Sequence, residues 1–244
     1  MRLRDRHVWR AGVKVRDARG MGLDHLALLH EELAAFQECL SGDLSAPVEH
    51  CGDWTLRDLG VHLGQENLWA AAAVRERRGD YMAEPPPVDV VSWFGETART
   101  LTDALAVDPS TEAWTFFPPR TVAFWRRRRC LETLVHRWDA EQAVGRAGAL
   151  DPELSGDGIA EVVDGFVPRQ IRLGRMAPLR AAVRLTATDL RACWILGPGD
   201  PVAELSGPAA DLLLMLWGRR PVPWSSLSGD EAEARDVLHG PLVP

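Results

Sequence analysis

The sequence predicts an α+β protein in which an N-terminal four-helix bundle precedes a smaller C-terminal domain of helices and strands. Over roughly the first 150 of the 244 residues, apolar side chains recur every three or four positions, which is the spacing of one helix face. After Gly148 the pattern changes to short apolar or alternating runs, which are typical of strands. Because several helices joined by loops bury their apolar stripes against one another, the first region predicts a bundle.

Four helices are predicted between loops rich in glycine, proline and aspartate. The second opens at Thr55, where Asp58 three positions later resembles a capping box. It ends before GDYMAEPPP, because consecutive prolines cannot continue a helix. The third is predicted over about Val88 to Leu105 and the fourth over about Thr121 to Val144, before a glycine. The apolar stripe of the first helix consists of Leu23, Leu26, Leu29, Leu33, Phe36 and Leu40.

Strands and helices are both predicted in the C-terminal domain. The segments LRAAVRLTATD and RACWILGPGD are predicted as two strands with a turn between them, and VAELSG as a third. PAADLLLMLWGRR is predicted as a short apolar helix with proline at its start, and GDEAEARDVL as the last helix. The predicted divisions are therefore an extension over residues 1–20, a bundle over residues 21–150 and the smaller domain over residues 151–244.

The first twenty residues differ from the rest in charge. They contain seven arginines and lysines against two aspartates, and they lack the apolar core of a secretory signal. Met21 directly precedes the first amphipathic pattern, so we interpret the segment as a disordered extension or a mis-assigned start. Without it, 21 basic and 33 acidic residues remain, and the formal net charge changes from −7 to −12. This acidic balance argues against nucleic acid as the main partner.

Composition excludes several further classes of function. No apolar run approaches the roughly 18 residues of a membrane helix, so we expect no membrane partner. The four cysteines form no CxxC pair, which argues against a zinc knuckle, and without an export signal we expect reduced thiols and a cytoplasmic protein. The only lysine is Lys14, so Schiff-base chemistry, pyridoxal phosphate attachment and a Walker phosphate-binding loop are not expected.

Three polar side chains fall on the predicted inward faces of two helices. His62 shares the stripe of the second helix with Leu59 and Leu63, while Glu132 and His136 lie one turn apart on the fourth. Two imidazoles and one carboxylate can hold a divalent metal and leave a position for water or substrate. Spacing alone leaves the alternatives open, because a Glu–His pair is often a helix-surface interaction and a lone inward histidine is often a core residue.

Three stretches of the chain resemble the signatures of one family. CGDWTLRDLGVHLG resembles CPGWTVRDLVAHLG, a signature of the maleylpyruvate isomerase family of mycothiol-dependent enzymes within the DinB-like metalloprotein superfamily. ETLVHRWDAEQAVG resembles the second signature, and RLTATD, Trp194 and LSGPAADLLLMLWGR resemble the C-terminal domain. The resemblance spans about residues 21–223. It implies a DinB-like four-helix bundle with one divalent metal, often zinc, followed by a small α/β domain.

The resemblance also implies roles for individual residues. The family's metal ligands carry over to His62, Glu132 and His136. Asp139, one turn beyond His136, is predicted to orient that ring, with a surface carboxylate as the alternative. Arg219 matches a position of the family pattern and is the preferred contact for a substrate carboxylate, with a cation at a helix end as the alternative.

The implied chemistry uses a low-molecular-weight thiol. In the isomerase that this chain resembles, mycothiol adds to a cis double bond, the bond rotates and the thiol leaves, and a metal such as zinc keeps a thiol ionised at neutral pH. The leading prediction is therefore a metal- and mycothiol-dependent isomerase or S-transferase that acts on a small electrophile, as a monomer or homodimer. We expect the substrate in the cleft between the bundle and the C-terminal domain.

Two other functions stay open at this point, because related functions can be built on one fold. The first is metal-assisted hydrolysis, and the second is metal or small-ligand binding without catalysis. The family's usual Pro-Gly before the tryptophan is Gly52-Asp53 here, and Asn67 stands where the family commonly has a basic residue. The change at Asn67 favours a reaction other than the family's own isomerisation.

The other noteworthy side chains near these motifs are predicted to be structural. Most of the run Arg126–Arg129 is expected to be solvated, because it spans more than one helix face. Cys51 and Cys130 are predicted to be buried structural thiols, because no evident base accompanies either, with nucleophiles as the alternative. The tryptophans of the two signatures and their flanks are predicted to lie in the core: Trp54, Trp69, Trp125 and Trp138.

Overall fold

Four long helices make up the N-terminal part of the protein. The computed structural model describes residues 22–82, 84, 86–146 and 148–244. The four helices are α1 (His25–Cys39), α2 (Leu56–Arg75), α3 (Val90–Leu105) and α4 (Val122–Ala143). They confirm the predicted bundle helices, and with the sheet below they confirm the α+β class. The extension predicted over residues 1–20 lies outside the described residues.

Side-chain caps fix where these helices begin. The backbone N–H of Asp58 donates to Thr55 Oγ1 over 3.3 Å and the backbone N–H of Thr55 donates to Asp58 Oδ2 over 2.9 Å, which confirms the predicted capping box of α2. The third helix begins two residues later than predicted, because Asp89 accepts from the backbone N–H of Ser92 and acts as its N-cap.

Apolar faces of the four helices form one core. α1 packs mainly against α4, and α2 packs mainly against α3. The rings of Phe36 on α1 and Phe94 on α3 lie 4.9 Å apart between these pairs. Because α2 and α4 are also in contact, their inward side chains face each other across the bundle.

The C-terminal part begins with a helical segment that the sequence did not predict. Helix α5 (Pro152–Glu161) continues through a π-helical turn (Val162–Phe166) into α6 (Val167–Arg172). Glycine weakens the helical pattern of this stretch, which explains the missed prediction. Gly158 packs closely against α7, since a Cβ there would lie 2.9 Å from a terminal methyl group of Leu213 and that side chain would have to shift.

A four-stranded sheet and two helices complete the chain. The strands are β1 (Ala182–Ala187), β2 (Ala192–Leu196), β3 (Pro201–Gly207) and β4 (Leu227–Gly229). Their order is β2-β1-β3-β4, in which β1 and β3 are parallel and the two outer pairs are antiparallel. The three predicted strands are confirmed, whereas the three-residue β4 was too short to predict. The last two helices are also confirmed: α7 (Ala209–Leu216) and α8 (Glu231–Leu238).

None of the helices in the described part of the chain has both the length and the apolar character needed to cross a membrane.

One partly buried carboxylate joins the bundle to α5. Asp157 Oδ2 accepts from His25 Nε2 over 2.8 Å and from Arg127 Nε over 2.9 Å, and the Asp157 carbonyl accepts from Arg127 as well. Although burial raises the pKa of Asp157, its bonds to His25 and Arg127 outweigh that effect and leave the pKa below its ordinary value. Three helices therefore meet at one charged hydrogen-bond network.

Replacing Asp157 by asparagine is expected to lower the free energy of unfolding by about 1.5–3 kcal/mol at pH 7, because charge-assisted bonds between partly buried groups are lost. Urea denaturation of the two proteins measures the difference. Asp211→Asn is the matched control, because it breaks the exposed pair between Arg220 and Asp211 and should cost less than about 1 kcal/mol.

The difference should also depend on pH. A carboxyl group whose pKa is lowered on folding stabilises the native state above the pKa of the unfolded chain, about 3.9 for aspartate, and loses this effect as the pH falls through its folded value. The cost of Asp157→Asn should therefore shrink below about pH 4. An equal cost at pH 7 and at pH 3 would contradict this assignment.

Candidate metal centre

The three predicted ligands come together between α2 and α4. The donor atoms that His62, Glu132 and His136 offer all lie within 4.8 Å of one another. His62 Nε2 is 3.6 Å from Glu132 Oε1, and the two imidazole rings meet edge to face with centroids 5.3 Å apart. Zinc bonds of about 2.0–2.2 Å place tetrahedral ligands roughly 3.3–3.6 Å apart, so the donor set fits a zinc ion after a small approach.

Asp139 lies within hydrogen-bond distance of the ring of His136. The Asp139 Oδ2 atom lies 3.0 Å from His136 Nδ1, which leaves Nε2 of this buried imidazole as the nitrogen available to a metal. Burial lowers the pKa of His136, although Asp139 opposes the shift, and a neutral imidazole is the form that binds metals. The predicted role of Asp139 in orienting His136 for a metal stays a prediction.

Two arginines hold the other carboxylate oxygen of Glu132. Arg128 NH2 lies 3.0 Å and Arg129 NH1 2.6 Å from Glu132 Oε2, so Oε1 is left facing His62. Burial raises the pKa of Glu132, but the two guanidinium groups outweigh burial and hold the pKa well below its ordinary value. The site therefore presents an ionised carboxylate with one free oxygen.

The prediction of a mostly solvated arginine run is wrong for these two residues. Arg128 is 5% and Arg129 is 0% exposed. Glu132 on the same helix pairs with both, and facing elements add further partners. Arg128 NH1 donates to Glu161 Oε2 over 2.6 Å, and Arg129 NH1 lies 3.8 Å from Glu66 Oε2. Charge compensation across elements cannot be derived from the spacing within one helix.

Asn67 supports Arg129 from the second helix. Its side chain is fully buried, and its Oδ1 accepts from Arg129 NH2 over 3.1 Å. Its amide nitrogen in turn donates to Thr97 Oγ1 over 3.4 Å. The residue that replaces the family's common basic side chain is therefore bonded within the protein, behind Glu132.

The four tryptophans divide between core and site. Trp125 and Trp138 are buried as predicted, and Trp69 is partly buried in an aromatic cluster with Trp125. The core prediction is wrong for Trp54, which is 37% exposed because it lies in the loop before α2. Its ring centroid is 5.0 Å from that of His62, so it covers the outer side of this predicted ligand.

Cys51 lies next to the site, whereas Cys130 is fully buried as predicted. The Cys51 Sγ atom is half-buried and lies 3.7 Å from Asp139 Oδ2. Burial, followed by the charge of Asp139, raises the pKa of Cys51 to about 11. Cys51, Asp139 and His136 form a second set of donor atoms within 4.8 Å, which the sequence analysis missed although the residues stand in the two quoted signatures.

Arg219 reaches this region from the C-terminal part and binds Asp139. Its NH2 donates to Asp139 Oδ2 over 2.8 Å and its Nε to Oδ1 over 3.2 Å, while NH1 donates to the Trp217 carbonyl over 2.9 Å. Although burial raises the pKa of Asp139, its bonds to His136 and Arg219 lower it below its ordinary value. The carboxylate that Arg219 contacts here is the protein's own, and its predicted contact with a substrate carboxylate stays a prediction.

A cavity of about 350 Å³ opens on the surface of the bundle, and its lining residue Glu66 lies 3.8 Å from the arginine that pairs with Glu132. Its walls come from α2 and from the segment that follows it. The lining residues are Gln65, Glu66, Trp69, Tyr81 and Met82.

Family models match both parts of the chain. Residues 26–141 match the model described as the mycothiol maleylpyruvate isomerase N-terminal domain. Residues 153–235 match the one described as the MDMPI C-terminal domain. The two matches follow each other in order and leave only short flanks and a short connection unmatched. No curated protein matches the chain.

Two solved structures resemble this one. They are the crystal structures of the mycothiol-dependent maleylpyruvate isomerase and of a variant of it with one histidine replaced by alanine. Each has a TM-score of 0.62 and 14% sequence identity, covering 80% of this chain and 88% of the other. At this identity the likeness shows the fold, while the two domain matches show the family. The chain belongs to the mycothiol-dependent maleylpyruvate isomerase family.

Proposed function

We propose that this protein is a metal- and mycothiol-dependent isomerase of a small electrophilic substrate, with the metal held by His62, Glu132 and His136. One observation carries the metal part of this proposal. Two imidazoles and one ionised carboxylate from two facing helices converge within 4.8 Å, in a chain that belongs to a thiol-dependent isomerase family. Zinc suits this donor set, and three protein ligands leave one position open.

A bound zinc ion would supply stabilisation of a thiolate at neutral pH. The residues around it hold the ligands in place. Asp139 fixes the ring orientation of His136, and the two buried arginines fix which oxygen of Glu132 faces the site. The ring of Trp54 packs against that of His62, with centroids 5.0 Å apart.

Substrate and product of the isomerisation contain the same atoms, and the thiol is released unchanged. The thiol sulfur adds to a carbon of the electrophile's double bond, the neighbouring carbon takes up a proton, and rotation occurs about the resulting single bond. Loss of that proton and of the thiol restores the double bond in its other geometry. The chain must therefore hold the thiol and shield the adduct, while the thiol itself forms and breaks the bond.

The substrate class is a separate part of the proposal. A carboxylate substrate would have to share Arg219 with Asp139, which already takes two of its N–H groups. We therefore propose a small electrophile whose carboxylate, where it has one, approaches from the exposed side of that pair. We also propose a cytoplasmic monomer or homodimer.

Cobalt-substituted protein provides the test of this function. Cobalt in the proposed site should give a visible absorption spectrum, and mycothiol should change that spectrum in proportion to binding, because a sulfur ligand enters the open position. The His62→Ala variant, which lacks one ligand, is the matched control and should show neither signal.

Each other outcome points to a different function. Cobalt binding without a response to thiol, together with hydrolysis of a test ester or amide, would replace the proposal by metal-assisted hydrolysis. A response to thiol with transfer of the thiol to an electrophile would make the protein an S-transferase. Metal binding with no turnover of any kind would leave a binding protein.

A further inference from the structure

The cavity beside the predicted ligands has walls of two chemical kinds. Trp69 and Tyr81 contribute aromatic rings, and Gln65 and Glu66 contribute an amide and a carboxylate. Flat apolar rings next to hydrogen-bonding groups suit a ligand that has both C–H faces and hydroxyl groups. A volume of about 350 Å³ is large enough for a small ligand rather than for a single side chain.

Trp69 is held rigidly in this wall. Its indole N–H donates to the Gly79 carbonyl over 3.1 Å, and its ring is nearly parallel to that of Phe116, with centroids 6.0 Å apart. The rings of Trp114 and Trp125 also pack against it at steep angles, with centroids 5.6 and 5.0 Å away. Because neighbouring groups fix the ring, a ligand that packs on it need not order it first.

Glu66 keeps most of its hydrogen-bonding capacity. Its nearest cation is Arg129, whose NH1 lies 3.8 Å from Glu66 Oε2 and only 2.6 Å from Glu132 Oε2. Burial, followed by the charge of Glu132, raises the pKa of Glu66. In either protonation state its oxygens can accept hydrogen bonds from hydroxyl groups, and a ligand that donates them would satisfy this partly buried group.

No cation lines this cavity among the residues that the structure describes. The nearby guanidinium groups are paired with the protein's own carboxylates. Arg78, which lies 5.5 Å from the centroid of the Tyr81 ring, pairs with Glu76 and Asp80. The others are Arg128 with Glu132 and Glu161, Arg129 with Glu132, and Arg219 with Asp139. A carboxylate wall without a free cation disfavours an anionic ligand and favours a neutral, hydroxyl-rich one.

The cavity also lies within reach of the proposed metal. Glu66 is one turn beyond His62 on the same face of α2, and it faces the arginine that holds Glu132. A thiol whose sulfur occupies the open position could place the rest of its molecule on this wall.

We propose that this cavity binds the sugar portion of mycothiol, a cysteine-derived thiol carried on a neutral sugar–inositol unit, with Trp69 and Tyr81 packing on its C–H faces and Glu66 accepting from its hydroxyls. The inference rests on the proposed function and goes beyond it, because it assigns the recognition of the cosubstrate to residues outside the metal site. Glu66 and Trp69 are then specificity-determining residues for the thiol.

Two thiols test this assignment on the cobalt-substituted protein. Mycothiol and N-acetylcysteine offer the same sulfur, but only mycothiol carries the sugar unit. We expect the native chain to bind mycothiol at least about tenfold more tightly. Glu66→Gln and Trp69→Leu should each weaken mycothiol binding several-fold and leave the affinity for N-acetylcysteine unchanged.

Glu96→Gln, which alters an exposed carboxylate on α3, is the matched control and should change neither affinity. Glu66→Gln keeps the size of the side chain, so it remains informative if Trp69→Leu disturbs the aromatic cluster. Equal losses for both thiols, or no loss for either, would overturn the inference and leave the proposed function intact. A cobalt spectrum that responds to neither thiol would overturn both.

Discussion

Replacing His62 by alanine is expected to lower the affinity for zinc by more than 100-fold. This loss should exceed the 10–100-fold that typically follows changes in residues behind the ligands, because a direct bond to the metal disappears. The remaining donors, Glu132 and His136, stand on one helix and cannot close a three-ligand set. Isothermal titration with zinc at pH 7 measures the affinity, and circular dichroism checks that the variant remains helical.

Cys51→Ala is the matched control for this experiment. Cys51 belongs to the second set of donor atoms, with Asp139 and His136, and His62 does not. Asp139 is already bonded to Arg219 and to His136, so this second set has little free capacity for a metal. The affinity of Cys51→Ala should therefore stay within a few-fold of the native value. Loss of zinc from Cys51→Ala and its retention by His62→Ala would move the metal to the second set.

Replacing Arg129 by methionine is expected to have two effects of opposite sign. The metal-free protein should lose about 3 kcal/mol of unfolding free energy. The substitution removes a fully buried guanidinium group that donates hydrogen bonds to Glu132 and Asn67, and both partners are left without it. Zinc should bind more tightly to the variant, because Glu132 loses one of the two cations that compete with the metal for its charge. The destabilisation should consequently be smaller in the zinc-loaded protein.

Denaturation with and without a chelator measures both effects. Arg126→Met is the matched control on the same helix. In the part of the chain that the structure describes, the hydrogen bonds of the Arg126 side chain go to the backbone carbonyls of Leu105 and Val107. It should cost about 1 kcal/mol, and equally so with and without zinc. Weaker zinc binding in Arg129→Met would show instead that Arg129 chiefly orients Glu132.

The bundle could be predicted from sequence because its signals are local. The apolar spacing of α1 and the capping box of Thr55 and Asp58 depend on residues a few positions apart, and both are confirmed. The helical segment over residues 152–172 was missed because its glycines are explained only by contacts with distant side chains, such as that of Gly158 with Leu213. The sequence carries no short-range trace of such a contact.

In the candidate site, too, residues with local sequence signals could be predicted, whereas contacts between distant parts of the chain could not. His62, Glu132 and His136 could be selected from helix faces and from the family signatures, and the structure brings their donor atoms together. The burial of Arg128 and Arg129 could not be selected in this way, because partners from other helices complete it: Glu161 of α5 for Arg128 and Asn67 of α2 for Arg129. The position of Arg219 against Asp139 likewise depends on how the C-terminal part meets the bundle.

Anomalous diffraction from crystals of the zinc-loaded protein, measured on both sides of the zinc absorption edge, tests the proposed metal site most directly. We predict one strong peak at bonding distance, about 2.0–2.2 Å, from His62 Nε2, His136 Nε2 and Glu132 Oε1. A peak bonded to Cys51 and Asp139, or no peak near these helices, would contradict the account.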